Sequence, residues 1–324
     1  MHLPRRVVLQ MAAAAVGSAV PRVVWALDYP TRPVRIVVGF PAGGPTDIYA
    51  RLIGQWLSQR LGQSFPVENR PGAGSTIGVA AVVAAPPDGY TLLLVSTSAT
   101  IAASYYKNLS FSLERDIAPV CGISLEPLVM VAHPSVPAKT VPEFIAYAKS
   151  KPGKVVMASV GNGTTPHLAG ELFMMMAGVK LLHVPYHGAA PALTDLLGGR
   201  ADVMFEAMTD LVGYINTGKL RALAVTTTKR SPVLPNIPTV AEFVPGYDAS
   251  VWFGIGAPSK TPAEIVERLN KEINAGLNDP TLRARVSEGG GIPLTGTTAD
   301  FAKLFADDAH KWAKVMREAQ VKSE

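Results

Sequence analysis

Two turns in the sequence combine residue types that hold small anions in proteins. In the first, residues 40–44 (FPAGG) connect a run of β-branched residues to a helical pattern that begins at Pro45. In the second, residues 161–164 (GNGT) lead into a helical pattern with Thr165 as the expected N-cap and Pro166 as the first helical residue. The start of a helix has free backbone N–H groups and the positive end of the helix dipole. Each turn therefore predicts an anion site.

Polar side chains beside these turns extend the predicted site. Asp47 lies in the first turn of the first helix, where it either closes the helix start on its own N–H groups, or orients the loop or accepts a hydrogen bond from a ligand. Ser96 and Thr97 follow a buried strand at residues 91–95, a position where open α/β sheets bind ligands; their alternative role is a helix N-cap. His167 lies in the first turn of the second helix, where a neutral imidazole can donate to a ligand.

The sequence contains no residue set with the spacing of a known catalytic or metal site. Asp202 and Glu206 bracket a predicted strand, and their separation of roughly 13 Å is too large for joint acid–base catalysis. The motifs GxSxG, P-loop and HExxH are absent. His167 has no second His or Cys at ligand spacing, and the methionines at 174–176 are expected in the core. We therefore predict no enzyme activity, no metal and no cofactor.

A glycine pattern at residues 72–78 leaves one enzymatic alternative. Gly72, Gly74 and Gly78 differ by one residue from the spacing of a dinucleotide-binding motif, and no acidic residue ends a following strand at the expected distance. The pattern favours close approach of the backbone to a ligand or to a neighbouring loop. The alternative is an exported α/β enzyme that uses a nucleotide.

The composition is that of a globular protein and argues against nucleic-acid binding. The chain has 324 residues, 48% hydrophobic and 17% charged, which is enough for two domains. The formal charge is +5, but Arg5, Arg6 and Arg22 lie in a segment that we expect to be removed, which leaves 27 basic and 25 acidic residues. No cluster of basic and aromatic residues follows. Cys121 is the single cysteine and lies in an apolar run, which predicts a buried thiol without a disulfide.

The first 26 residues have the pattern of an export signal. Arg5-Arg6 precedes an apolar segment at residues 7–20, and Ala26 ends a small-x-small cleavage site. The apolar segment is shorter than the roughly 20 residues that span a bilayer. We therefore expect cleavage near Ala26 and a soluble periplasmic protein. The arginine pair matches a twin-arginine signal imperfectly, so this route and the Sec route are both retained.

The rest of the chain predicts two α/β lobes that face each other across a cleft. Each lobe contains one of the two anion-binding turns, placed between a strand and a helix. Residues 117–132 form a long apolar stretch that predicts a strand crossing between the lobes, and residues 250–257 predict the return crossing. We therefore assign residues 27–125 plus 250–324 to lobe 1 and residues 126–249 to lobe 2. Such a protein would carry a small acid without chemistry of its own.

Several motifs occur in an order that is specific to one family. They are Tyr29-Pro30 with residues 35–38 (RIVV), 41–47 (PAGGPTD), 69–74 (NRPGAG), 161–163 (GNG) through His167, 184–186 (VPY) followed by Gly188 and Pro191, 229–232 (KRSP), 235–242, 257–258 (AP) and 261–262 (TP). With them the chain resembles the Bug (Bordetella uptake gene) family, the substrate-binding proteins of tripartite tricarboxylate transporters. The resemblance covers essentially the whole chain after the export signal.

The resemblance implies a type II periplasmic-binding-protein fold, an α/β fold of two lobes and two crossing strands that closes on its ligand like a flytrap. The implied ligand is a small mono- or dicarboxylic acid, including some amino and aromatic acids, bound largely by main-chain N–H groups. The implied protein partner is the membrane pair of a tripartite transporter or a sensor protein, and we expect a monomer. The ligand-binding residues implied position by position are Phe40, Pro41, Ala42, Gly43, Gly44, Asp47, Ser96, Thr97, Gly161, Asn162, Gly163, Thr164, His167, Tyr186 and Asp202.

Two positions depart from the family pattern. His187 stands where a lysine or arginine is commoner, and Glu206 stands where an aspartate is more usual. If position 187 faces the cleft, its charge at neutral pH is lower than that of a lysine and depends on pH. This departure argues against a highly acidic ligand such as a tricarboxylate.

Overall fold

The structure, a computed structural model, describes residues 28–106, 108–319 and 321 of the chain. The predicted export signal at residues 1–26 lies outside the described residues. The strands are β1 (Arg35–Val38), β2 (Val67–Asn69), β3 (Thr91–Ser96), β4 (Ile117–Ala132), β5 (Val156–Ser159), β6 (Leu182–Pro185), β7 (Val203–Ala207), β8 (Arg221–Val225), β9 (Ser250–Pro258) and β10 (Ile292–Pro293).

The helices pack on both sides of these strands. They are α1 (Pro45–Leu61), α2 (Thr76–Val83), α3 (Thr97–Tyr105), α4 (Leu113–Asp116), α5 (Val141–Ser150), α6 (Thr165–Ala177), α7 (Ala189–Leu197), α8 (Met208–Asn216), α9 (Ala263–Asn278), α10 (Pro280–Glu288) and α11 (Thr298–Glu318). Short 3₁₀ turns lie at Ala73–Ser75 and Val240–Glu242.

The strands form a continuous curled sheet in the order β2-β1-β3-β9-β4-β7-β5-β6. In lobe 1, β1 pairs parallel with β2 and β3, and β9 is antiparallel to β3. In lobe 2, β5 pairs parallel with β6 and β7. In both lobes, parallel strands end at an edge where a turn leads into a helix. This arrangement brings the turns after the strands toward the boundary between the lobes.

Strand β4 belongs to both lobes. Its residues 117–127 pair with β9, whereas Leu128–Ala132 pairs with β7 and β8. The chain returns beside it: Thr226 N–H donates to Leu128 O, and Ala249 N–H donates to Thr226 O directly before β9 begins. The crossing strand predicted at residues 117–132 is thereby confirmed. The lobe boundaries at residues 125/126 and 249/250 remain a prediction.

Lobe 1 is completed by the C-terminal helix. The indole N–H groups of Trp252 in β9 and Trp312 in α11 donate to the two oxygens of Asp308, at 2.9 and 3.0 Å. Both tryptophans are buried, at 1% and 0% exposure. This shared carboxylate fixes α11 against the sheet beside α3. Cys121 is also buried, as the apolar run around it predicts. Burial raises the pKa of its thiol to about 12.

Residue types and turns set where two of these elements begin. Strand β2 begins at Val67, because Pro66 has no N–H for a ladder. Helix α2 begins at Thr76, directly after the 3₁₀ turn. One predicted boundary was wrong by one residue. The N-cap of α6 is Thr164, whose backbone is extended, while Thr165 is already helical.

Candidate ligand-binding cleft

Four helix starts face one cavity between the lobes. From lobe 1 come the starts of α1 and α3, and from lobe 2 the starts of α6 and α7. The space is about 620 Å³, part of it open to solvent. Its lining includes Phe40, Pro41, Ala42, Gly44, Pro45, Thr46, Ser96, Ser98, Val160, Pro166, His187, Gly188, Ala189, Ala190 and Pro191, with Leu128, Glu206, Ala207, Val251 and Phe253 at the floor. Converging helix N-termini favour a negatively charged ligand.

A buried carboxylate positions the start of α1. Asp47 is 4% exposed and accepts hydrogen bonds from Gly43 N–H (3.1 Å), from Asn69 Nδ2 (3.0 Å) and from Arg51 Nε and Nη2 (2.8 and 3.0 Å). Burial alone raises the pKa of Asp47, but the bonds from Arg51, Gly43 and Asn69 outweigh it and hold the pKa below its ordinary value. Because the protein uses both oxygens, Asp47 holds the loop in place. Gly43, with φ of +90°, needs the freedom of glycine here.

Imidazoles, rather than a carboxylate, position the start of α6. Gly163 N–H donates to Nδ1 of His167 at 3.2 Å, and Nε2 of His167 faces Glu171 Oε1 at 3.4 Å. The ring of His183 stacks on His167 with centroids 4.1 Å apart, and its Nε2 lies 2.6 Å from Ser159 Oγ. Burial, and then the neighbouring His167, lowers the pKa of His183 to about 3, so His183 is neutral at neutral pH.

Direct contacts hold the lobes together in a closed arrangement. Ser98 Oγ lies 3.1 Å from Thr165 Oγ1 and accepts the Thr165 N–H at 3.2 Å, which joins the starts of α3 and α6. Gly188 of lobe 2 packs so closely on Pro41 of lobe 1 that a Cβ there would lie 3.1 Å from the proline ring. A ligand in the inner cavity is therefore enclosed by both lobes.

A second, outer cavity of about 1120 Å³, also partly open, adjoins the first. Its lining comes from the 3₁₀ turn at Ala73–Ser75, the loop before it and the second-lobe turn, and includes Phe40, Pro41, Gly161, Asn162, Tyr186 and His187. His187 is exposed and lines both cavities. It therefore faces the cleft, which the sequence had left open.

The structure places about half of the predicted residues away from the cavity linings. Thr97 accepts the Trp252 N–H with its hydroxyl oxygen and is fully buried, and Thr164 donates to Gly161 O. Asp202 accepts Val156 N–H at 2.7 Å at the end of β7 that lies opposite the cleft. The strand length separates it from Glu206, which does line the cavity. Seven predicted residues therefore line neither cavity: Gly43, Asp47, Thr97, Gly163, Thr164, His167 and Asp202.

Several lining residues were missed by the sequence reasoning. Ser98 lies one residue beyond the predicted hydroxyl pair, and Gly188 begins α7 with φ of +111°. A glycine directly before a helical pattern, as at Gly44, is the signal that would have identified Gly188. The floor residues Leu128, Val251 and Phe253 carry no such signal, because apolar residues in strands are also expected in any core.

One group in the described part of the chain approaches the geometry of a metal site. The ligand atoms of His167, Glu171 and His183 lie within 4.8 Å of one another. No second histidine lies near His167 at ligand spacing in the sequence, but the fold brings His183 to it from β6. The two rings are nearly parallel, at 10°, so their in-plane lone pairs do not converge on one ion unless a ring rotates.

The glycines at residues 72–78 serve loop packing. A Cβ on Gly78 would lie 2.9 Å from Gly39 Cα, and a Cβ on Gly39 would lie 2.4 Å from Ser75 Cβ. The loops after β1 and β2 therefore touch through their backbones. This contact supports the packing interpretation of the glycine pattern over a phosphate-binding one.

Comparison with known proteins gives consistent matches over nearly the whole chain. The family described as "Tripartite tricarboxylate transporter family receptor" matches residues 49–321. BugT of Bordetella pertussis is 37% identical over 318 residues, which is 97% of each chain. A protein from the tcbD-tcbE intergenic region of Pseudomonas sp. (strain P51) is 37% identical over 319 residues, covering 98% of this chain and 95% of that one.

Solved structures agree with these matches. Adipate-bound Rpa4515 of R. palustris has a TM-score of 0.87 at 37% identity, over 90% of this chain and 98% of that one. Periplasmic binding protein BugD has a TM-score of 0.87 at 36% identity, over 91% and 100%. Malate-bound MatC of Rhodopseudomonas palustris has a TM-score of 0.83 at 31% identity, over 89% and 99%.

Within the described residues, no helix combines the length and the apolar character that a membrane crossing requires. The fold is the two-lobed α/β fold of the periplasmic binding proteins to which the chain is similar. With family motifs, fold and cleft in agreement, this chain belongs to the tripartite tricarboxylate transporter receptor family, the Bug-type periplasmic solute-binding proteins.

Proposed function

We propose that this protein binds a small carboxylate between its lobes and closes on it. The observation that carries the proposal is the convergence of four helix starts, two from each lobe, on one cavity. A helix start contributes about 0.3–2 kcal/mol to holding a negative charge. The similar proteins Rpa4515 and MatC were solved with adipate and malate, both of which are carboxylates.

The proposed contacts divide the cleft by chemistry. Backbone N–H groups at the helix starts and the hydroxyls of Ser96 and Ser98 would donate hydrogen bonds to the carboxylate of the ligand. Phe40, Val160 and Phe253 form apolar walls that suit a carbon skeleton. Gly161, Asn162 and Tyr186 in the outer cavity meet the far end of a longer ligand. Asp47 and His167 act by holding the two loops in position.

The protein would act without catalysis, in the periplasm. Closure would occur about β4 and the return into β9, between lobes at residues 27–125 plus 250–324 and at 126–249. The closed protein would present its ligand to a membrane transporter pair or to a sensor. A deletion strain distinguishes transport from sensing when its growth and its uptake of a radiolabelled acid are measured. If the protein serves only sensing, uptake stays intact when the transporter is expressed independently.

A thermal-shift and calorimetric screen tests the proposal. Adipate, malate, glutamate and benzoate sample long, short, amino and aromatic acids, and at least one is expected to raise the melting temperature at millimolar concentration. A folded, ligand-free protein that responds to no acid in such a screen contradicts the proposal. NAD, FAD and ATP serve as the comparison set: heat from any of them at micromolar concentration supports a nucleotide-dependent enzyme instead.

A further inference from the structure

Three carboxyl groups lie together beneath the floor of the inner cavity. They belong to Glu126 of β4, Glu206 of β7 and Asp210 of α8, here named the hinge carboxyl cluster. Glu126 is 0% exposed and Glu206 is 3% exposed. Glu126 Oε2, Glu206 Oε2 and Asp210 Oδ2 are all buried without a hydrogen-bond partner in the described part of the chain. Unpartnered buried carboxylate oxygens are costly, so these atoms need a proton or a counter-charge.

The described surroundings of the cluster supply hydrogen-bond donors but no cation. Tyr49 OH of α1 and Thr209 Oγ1 of α8 both donate to Glu126 Oε1, the latter at 2.6 Å. Glu206 Oε1 accepts its neighbouring Ala207 N–H at 2.8 Å. The other titratable side chain that lines the cavity above is His187. Because Tyr49 lies in lobe 1 and Thr209 in lobe 2, Glu126 ties the two lobes together at their boundary.

Burial raises the pKa of all three groups, and repulsion within the cluster adds to this for Glu126 and Glu206. Burial raises the pKa of Glu126 to about 7, and the negative charge of Asp210 adds to this. Burial raises the pKa of Glu206 well above its ordinary value, and Asp210 and then Glu126 add to the effect. Burial also raises the pKa of Asp210. In the closed form the cluster therefore holds protons at a pH where exposed carboxyl groups have lost them.

We propose that the hinge carboxyl cluster takes up a proton when the cleft closes on its anionic ligand, so that ligand capture is proton-coupled. The proposal rests on the carboxylate-binding function proposed above. Glu206 connects the two events, since it lines the cavity that receives the anion and belongs to the cluster. A negative ligand above Glu206 and loss of water on closure both favour the protonated carboxyl group.

The direction of the pH dependence follows from linkage. The closed form binds a proton that the open, hydrated form lacks, between the ordinary glutamate pKa of about 4.3 and the raised pKa near 7 of Glu126. In this window the affinity falls as pH rises, by up to about tenfold per pH unit for each proton. Above the raised pKa the affinity levels off, because both forms are then ionised.

A first test needs no ligand. Ser98 Oγ and Thr165 Oγ1 lie 3.1 Å apart across the lobes, so the double variant Ser98→Cys/Thr165→Cys is placed to lock the closed form with a disulfide. Carbon NMR of protein labelled at the glutamate carboxyl carbon then follows titration in the oxidised and reduced forms. We expect at least one glutamate to remain protonated up to about pH 7 in the locked form only. Ordinary titration of every glutamate in the locked form overturns the proposal.

A second test measures the proton directly. Calorimetry with adipate and with malate at pH 7, in phosphate and in Tris, should give an enthalpy difference that corresponds to uptake of about 0.5–1 proton. Glu206→Gln should reduce this uptake by at least half, whereas Asp307→Asn, an exposed acid paired with Lys303, should leave it unchanged. His187→Gln separates the imidazole contribution. Binding without proton uptake overturns the proposal of proton coupling, and so does uptake that only His187→Gln removes. If no acid binds at all, the result counts against the proposed carboxylate-binding function instead.

Discussion

The two helix starts that face each other across the cleft are stabilised by opposite means. In lobe 1 the ionised carboxylate of Asp47 accepts hydrogen bonds from Gly43, Asn69 and the half-exposed Arg51. In lobe 2 the loop before α6 is held by the stacked imidazoles of His167 and His183. Both arrangements fix the loop that precedes a helix start at the cleft. They differ in what acid does to them, because carboxylates lose charge and imidazoles gain it.

The two helix starts also differ in the charged groups that lie behind them, and an arriving anion would meet these different charges. Behind the start of α1 lies an acid whose negative charge Arg51 partly offsets. Behind the start of α6, the donor from Gly163 requires an unprotonated Nδ1 on His167. Behind the second-lobe loop, the imidazole of His167 lies between Gly163 and the carboxylate of Glu171, whose Oε1 faces Nε2 of the ring at 3.4 Å. We therefore expect mutation of the lobe 1 loop to change stability and ligand affinity, and mutation of the lobe 2 loop to change how stability depends on pH.

The largest effect is expected from Asp47→Ala. The change leaves Gly43 N–H and Asn69 Nδ2 without their acceptor and frees Arg51, so the free energy of unfolding should fall by about 2–3 kcal/mol, and carboxylate affinity by tenfold or more. Urea unfolding and calorimetry measure the two quantities. Asp307→Ala is the matched control, because Asp307 forms an exposed pair with Lys303 worth less than about 1 kcal/mol. Equal effects of the two variants contradict the proposed role of Asp47.

In lobe 2, mutation of the stacked imidazoles is expected to change how the stability of the protein depends on pH. The pKa of His183 is lowered to about 3 in the folded protein, while the unfolded chain binds that proton near pH 6.5. The contribution of His183 to stability is therefore complete above pH 6.5 and is lost as pH falls toward 3. His183→Gln should flatten the dependence of melting temperature on pH between 4 and 7. Parallel curves for wild type and variant would exclude this role, and His310→Gln, at an exposed histidine of α11, should leave the slope unchanged.

Ser98→Ala tests the contact that joins the two helix starts directly. The variant loses the bonds from Thr165 only in the closed form, so affinity for the best acid of the screen should fall about three- to tenfold, equivalent to about 0.5–1.5 kcal/mol. The unfolding transition of the free protein should change little. Calorimetry measures the affinity, with Ser104→Ala in the same helix as the exposed control. A lower melting temperature with unchanged affinity would show that Ser98 supports lobe 1 alone.

The smallest effect is expected from His187→Lys. The side chain is exposed and lines both cavities, so a permanent positive charge there should strengthen binding of a dicarboxylate by about 0.3–1 kcal/mol at low salt. The gain should fade near 1 M salt, where screening acts over about 3 Å. A titration of adipate at two salt concentrations measures it, with benzoate as the singly charged comparison. A gain that persists at high salt would indicate a direct contact rather than a long-range field.

Local sequence signals identified the elements of the site better than its contacts. The start of α1 at Pro45, directly after the N-cap Gly44, was predicted correctly, because proline acts on its own backbone. The N-cap of α6 was placed one residue too late, because Thr164 and Thr165 are equally suitable by type. Asp202 was predicted near the cleft from its family position, but a strand length separates it from the cavity.

The sequence alone determined the two turns that lead into α1 and α6 and the long crossing strand at residues 117–132, because glycine, proline and hydrophobic period are short-range signals. The order of its motifs indicated the family. Only the tertiary structure decided which side chains meet. His183 reaches His167 because β5 and β6 pair in parallel, and Glu126, Glu206 and Asp210 meet because β4 runs antiparallel to β7 below α8. Such contacts depend on strand order and on burial, and a carboxyl group gains its unusual proton affinity only when the fold removes it from water.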